Sequence, residues 1–241
     1  MLKMKYLIVI TLLFTFNLSF GQVKDPWKGK PNSIEDSFLC LDRMFGDTAK
    51  YTFATLPEDI STFRLHHGFG TWIRNNWGLW GSSKLKQELT GLGFVHPDDM
   101  SSFLLKAYHR RLNNKPLQIE EEAKAYQAYW NKAGREGFSA GDLGNDHTKR
   151  TTNQELLDYF PVGDTIVVNL YATHKKLFQN YASSVEGIAV IKSHNTEKLN
   201  IRLLSVKQKE KHLPEHKAGQ EFEISPISCS LIPPKGWNVK K

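Results

Sequence analysis

The chain has 241 residues, 40% of them hydrophobic and 24% charged, with two cysteines and a formal net charge of +7. This balance excludes a charge-dominated disordered chain and a disulfide-dense scaffold. The excess of Lys and Arg is mild and scattered, so nucleic acid is not an expected partner, while polyanionic glycans and a lipid surface stay open.

The opening Met1-Leu2-Lys3-Met4-Lys5 is followed by an uncharged apolar run from Tyr6 to Phe16 and then Asn-Leu-Ser-Phe-Gly-Gln. A basic head, an apolar middle and small residues at Ser19 and Gly21 are the three parts of a secretory signal peptide, expected over residues 1–21 with cleavage before Gln22. The apolar run is shorter than the roughly 20 residues that a helix needs to span a bilayer, and no cysteine stands at the cleavage point for lipid attachment. The expectation is an exported, soluble protein, periplasmic or extracellular, whose net charge falls from +7 to +5 on loss of Lys3 and Lys5. In an oxidising compartment Cys40 and Cys229 either bridge the two ends of the mature chain or persist as two thiols, and spacing leaves both open.

Residues 22–133 read as a small helical domain of four to five helices. Asn32 with Glu35, and Ser33 with Asp36, have capping-box spacing; Ile34, Phe38, Leu41 and Phe45 then share a stripe from which Cys40 departs, which points to an accessible thiol. From about Phe69 to Trp80, the residues Phe69, Trp72, Ile73, Asn76, Trp77 and Trp80 recur every three or four positions. That spacing predicts one helix with its tryptophans as a core seam, leaving Arg74, Asn75 and Gly78 off the seam and able to reach a ligand. Leu85, Leu89 and Leu92 after Ser82-Ser83 predict a short helix ended by Gly91 or Gly93. Pro97 opens another, with Asp98 and Asp99 in its first turn and Met100, Phe103, Leu104, Ala107, Tyr108 and Leu112 facing inward. A last helix aligns Ile119, Ala123, Tyr126 and Trp130.

The ordered motifs Trp72-Ile73-Arg74-Asn75-x-Trp77-x-Leu79-Trp80, His96-Pro97-Asp98-Asp99-Met100-Ser101 and Tyr108-His109-Arg110 resemble the signature of an uncharacterised bacterial domain family of unknown function, over about residues 31–130. The resemblance implies a domain boundary and no chemistry. The C-terminal part lies outside it.

Residues 134–153, rich in glycine and charge, read as a linker or long loop. Beyond it, in a β domain over 154–241, the period changes to two or to short apolar runs: Thr165–Tyr171, Val185–Ile191, Leu199–Val206 and Phe222–Leu231, the last interrupted by Pro226. With turns at Gly163-Asp164 and Gly219-Gln220, four or five strands suggest a small antiparallel barrel or sandwich. The fold class is therefore α+β, with segregated elements.

Two literal catalytic patterns fail on context. Gly137-Phe138-Ser139-Ala140-Gly141 matches a nucleophile elbow, but it follows a helix and enters the glycine-rich stretch instead of a strand-to-helix turn. His212-Leu213-Pro214-Glu215-His216 matches an inverted zinc-protease motif, yet Pro214 falls inside the turn that must be helical. Asp98 and His109 share a helix face but stand about 16 Å apart along the axis, too far to hold one ion; a purely structural reading has Asp98 and Asp99 capping and charging the helix while His109 and Arg110 pair with acids or backbone carbonyls.

The leading expectation is a non-enzymatic binding or interaction protein of the bacterial envelope. It presents Arg74, Asn75, His96, Asp98, His109 and Arg110 as a polar surface to an envelope protein, peptide or glycan, with no cofactor and no metal. The runner-up is a periplasmic metal-dependent or acid-base hydrolase, which needs two of His66, His67, His96 and His109 to converge with Asp98 or Asp99. A mainly structural envelope protein is the third reading.

Overall fold

A computed structural model describes residues 29–136, 151–176, 179–207 and 216–237. Residues 1–21, expected to be a signal peptide, the Gly137–Gly141 motif and His212 to Glu215 of the His-x-x-Glu-His motif lie outside the described residues. Residues Pro31–Lys241 form one compact unit. It is α+β, with seven α-helices between Ile34 and Glu136 where four to five were expected: α1 Ile34–Met44, α2 Asp47–Thr55, α3 Glu58–Leu65, α4 Thr71–Asn76, α5 Lys84–Gly91, α6 Pro97–Leu112 and α7 Ile119–Glu136. The count rises by α2 and α3, over residues to which the sequence reading assigns no helix; Gly46 and Pro57 stand at their N-caps and separate them from α1 and from each other. A single turn, α8 Asn153–Leu157, leads into the strands and is closed by a complete capping box between Thr152 and Glu155.

The capping logic of the other helices is local. Ser33 and Ser83 each accept the backbone N–H of the third residue of α1 and α5, and His96 accepts that of the second residue of α6, with Pro97 at the first helical position. The expected inward residues of α6 are all buried, with Phe38, Leu41, Phe53, Trp77, Phe94 and Tyr108 in the same core. Burial and the Asp42 carboxylate, which accepts the Tyr108 hydroxyl at 2.9 Å, push the Tyr108 pKa well above the ordinary phenol range.

The tryptophan stretch departs from the single helix expected. Residues His66–Gly70 form a π-helical turn, α4 ends at Asn76, and Gly78 takes a positive φ of 72°. Trp77 is buried, Trp72 packs partly against the core, and Trp80, carried past the break, is 57% exposed. The seam is thus two indoles long.

Five strands follow: β1 Thr165–Lys176, β2 Gln179–His194, β3 Leu199–Lys207, β4 Glu221–Ile224 and β5 Cys229–Leu231. They form one antiparallel sheet in the order β4-β3-β2-β1-β5, so the expected barrel or sandwich is corrected to a single open sheet whose short edge strands do not meet. Pro226 starts a 3-10 turn that splits the predicted Phe222–Leu231 strand and sends its halves to opposite edges. Ile166, Val168, Leu170, Ala189, Ile191, Leu199, Ile201 and Leu203 make a second core, to which the helical part contributes Leu56. Thr52 joins the two parts: its hydroxyl accepts Leu231 N–H at 2.9 Å and donates to the Thr48 carbonyl at 2.8 Å. Both cysteines are free, Cys40 half-buried on α1 and Cys229 buried in the second core, where burial pushes its thiol up to about 12. Among the described residues no helix is long and apolar enough to cross a membrane.

Candidate functional site

Helix α6 carries polar groups at both ends, and the six residues singled out from sequence divide between them. Arg74, His96 and Asp98 meet at its N-terminal end. His109 and Arg110 lie at its C-terminal end, and Asn75 is exposed on α4.

At the N-terminal end Arg74 does not point to solvent as expected; it is 7% exposed. Its Nε lies 2.8 Å from Asp98 Oδ1, Nη1 donates to Ser101 Oγ at 2.9 Å and Nη2 donates to Thr71 Oγ1 at 2.8 Å. The reason is packing: a Cβ on Gly70 would stand 3.3 Å from Nη1, so the glycine of the π-helical turn leaves the guanidinium its path inward. The guanidinium fixes the inner oxygen of a carboxylate whose side chain is 40% exposed. The His96 ring accepts Asp98 N–H through Nδ1 at 3.2 Å, while Asp98 Oδ2 lies 3.3 Å from the same nitrogen. A ring that accepts at Nδ1 carries its proton on Nε2, so His96 offers Nε2–H as a donor.

Aromatic side chains frame this group. The Trp80 ring meets His96 edge-on with centroids 5.7 Å apart, and His96 lies tilted by 30° against Trp130 at 5.4 Å. Trp130 Nε1 donates to Asp99 Oδ2 at 2.5 Å. Burial raises the Asp99 pKa, an effect that this bond and the nearby His96 offset only in part. Val95 is also exposed, so an apolar ledge borders the imidazole and the Asp98 carboxylate. On the other flank Ser102 Oγ lies 3.3 Å from His66 Nδ1, and burial, followed by His67 and Arg74, holds the His66 pKa below its ordinary value.

The C-terminal group is an interior network. Arg110 grips Glu58 through Nε at 2.9 Å and Nη2 at 2.6 Å, reaches Glu122 at 2.6 Å, and donates to the Leu117 carbonyl at 3.0 Å. Burial works against the charged form of Glu58, but His109 and Arg110 outweigh it and leave the carboxyl below its usual range. His109 Nε2 donates to the Leu56 carbonyl at 2.9 Å, while its Nδ1 stands 3.8 Å from Glu58 Oε2. His109 is 3% and Arg110 6% exposed, so neither presents a surface. Together they clamp α3 and α7 onto α6.

Trp80 as an exposed ring, Trp130, Ser101, Thr71, Glu58 and Glu122 were not expected at these sites. Gly78 and Gly81 on either side of Trp80 are the signal that a continuous helix could not reach it. Nothing in the sequence points from Glu58 or Glu122 to Arg110. Among the described residues no group of three His, Cys, Asp or Glu side chains could hold a metal ion.

Residues 30–112 match a family model described as a domain of unknown function (DUF6794). The matched span contains Arg74, Trp80, His96, Asp98, His109 and Arg110, and ends before Glu122, Trp130 and the sheet. No curated protein and no solved structure matches the chain.

Proposed function

We propose that this chain is an exported, soluble, non-enzymatic binding protein of the bacterial envelope, with its recognition surface at the N-terminal end of α6. Trp80, His96 and Asp98 contact the ligand, Arg74 holds Asp98 in place from below, and Asn75 is the further polar contact from α4. The ligand is a peptide or glycan. Export rests on the three-part pattern of residues 1–21.

The observation that carries the reading is the 57% exposure of Trp80. A tryptophan carries about 150 to 250 Å² of surface to bury, and an exposed one beside a fixed carboxylate and an imidazole N–H has the make-up of an interface anchor. Arg74 is committed to three partners, which suits a rigid platform. The test is titration of peptide and oligosaccharide libraries followed through tryptophan fluorescence, in the wild type, Trp80→Ala and His96→Ala. A ligand whose affinity drops about tenfold or more in both variants supports the reading. A ligand bound equally well by Trp80→Ala overturns it.

A hydrolase is the second reading, favoured by the Ser102–His66 contact and by the His96–Asp98 pair. Turnover of a bound ligand that stops in His66→Gln would favour it, as would stoichiometric zinc or manganese lost in His96→Ala.

A further inference from the structure

His96 Nδ1 faces two groups that need it in opposite protonation states. It accepts the Asp98 N–H at 3.2 Å, and Asp98 Oδ2 stands 3.3 Å from it. Only a bare Nδ1 accepts the backbone N–H, and only a protonated one donates to the carboxylate. In the neutral ring the lone pairs of Nδ1 and Oδ2 therefore face each other. Among the described residues Oδ2 has no donor, because Arg74 commits Nε to Oδ1, Nη1 to Ser101 and Nη2 to Thr71.

The surroundings hold the two states close in energy. On α6, the carboxylate of Asp98 favours an imidazolium, and so does that of Asp99, on which the His96 charge acts in turn. From α7 the Trp130 ring, tilted by 30° with its centroid 5.4 Å away, is near enough for a cation–π contact, whereas Trp80 meets the imidazole edge-on. Against the charged form stand the positive N-terminal end of α6 and, beyond Asp98, Arg74 from α4. The charges that act on His66 in the π-helical turn are those of His67, Arg74 and Asp98, and Lys106 acts on Asp99. The His96 side chain is 37% exposed, so solvent protons reach it.

We infer that His96 is a proton-operated switch of this surface. Neutral, it caps α6, offers Nε2–H and leaves Asp98 Oδ2 open. Protonated, it gives up the cap and closes Nδ1–H onto Oδ2. With Oδ1 held by Arg74, both carboxylate oxygens are then engaged, and the surface withdraws its acceptor as pH falls through the range in which an imidazole takes up a proton. The cap lost and the ion pair gained oppose each other, so the change stays in the first turn of α6. That the withdrawn oxygen is a ligand contact rests on the function proposed above; the switch itself does not.

Nitrogen-15 NMR of the full chain, titrated from about pH 8 to pH 5, tests the switch with no ligand present. At the alkaline end the His96 ring should carry its proton on Nε2. On acidification the Asp98 amide should shift with the same midpoint as the ring, and its hydrogen-exchange protection, taken against a free amide at each pH, should fall about fivefold as the cap is lost. His96→Ser supplies a cap that takes up no proton, and its Asp98 amide should keep its protection across the range. A neutral ring protonated on Nδ1, an Asp98 amide that stays protected through the titration of the ring, or a loss at that midpoint that survives in His96→Ser would each overturn the inference. If His96→Ser does not fold, the wild-type titration decides by itself. The result is independent of Trp80-dependent binding, so either reading can fail while the other stands.

Discussion

Replacing Arg110 by methionine keeps the aliphatic stem and removes the guanidinium that holds α3 and α7 to α6. Glu58 and Glu122, with side chains 25% and 12% exposed, would lose the cation that both face. Breaking a buried ion pair from one side costs about 3 to 5 kcal/mol, because the remaining charge keeps its desolvation penalty. Lys106 Nζ stays 3.2 Å from Glu122 and compensates in part, which places the expected loss near the lower end, at about 3 kcal/mol. For a unit of this size that corresponds to a fall in Tm of roughly 10 °C. Urea denaturation should show a lower midpoint at unchanged slope, and adding Glu58→Gln and Glu122→Gln should recover at least half of the loss. A loss below about 1 kcal/mol, the range of an exposed pair, would refute a buried clamp at this end of α6.

Acidification should destabilise the protein in two windows. His66 titrates below its ordinary value of 6.5 in the fold, so the stability it contributes is present above 6.5 and is lost as pH falls through the lower folded value. His66→Gln should remove that step from a plot of denaturation midpoint against pH. Glu58, depressed below 4.5, gives a second loss at more acidic pH that Glu58→Gln should remove. Gly93→Ala should cost about 1 to 3 kcal/mol by chemical denaturation, since its φ of 104° suits glycine and the new methyl would meet the Gln127 side chain. Ser83→Ala removes the N-cap of α5 and should cost about 1 kcal/mol.

Much of the fold is legible in the sequence because its signals are local. Ser33, Ser83 and Pro97 mark helix starts through their own capping chemistry, and the apolar periods of α6 and β1 require no distant partner. Sheet closure is different: whether strands of three and four residues at the two edges meet depends on Pro226 redirecting the chain between them. The site was half legible for the same reason. His96 and Asp98 are neighbours in sequence, whereas the burial of Arg74 depends on Asp98 arriving from another helix and on Gly70 leaving it room. Of the two sequence readings of His109 and Arg110, as surface groups or as partners of acids and backbone carbonyls, the second holds, but the partners themselves, Glu58 and Leu56, are more than 50 residues away and carry no local signal. Trp80 was assigned to the seam by spacing alone, and the backbone break at Gly78 carries it outward.

The most direct test separates the two ends of α6 by measuring ligand affinity and unfolding free energy for Trp80→Ala and Arg110→Met side by side. The account predicts that Trp80→Ala loses affinity with stability unchanged, and that Arg110→Met loses stability while its folded fraction binds as before. A Trp80→Ala protein that binds normally, or an Arg110→Met protein that is stable but no longer binds, would contradict it.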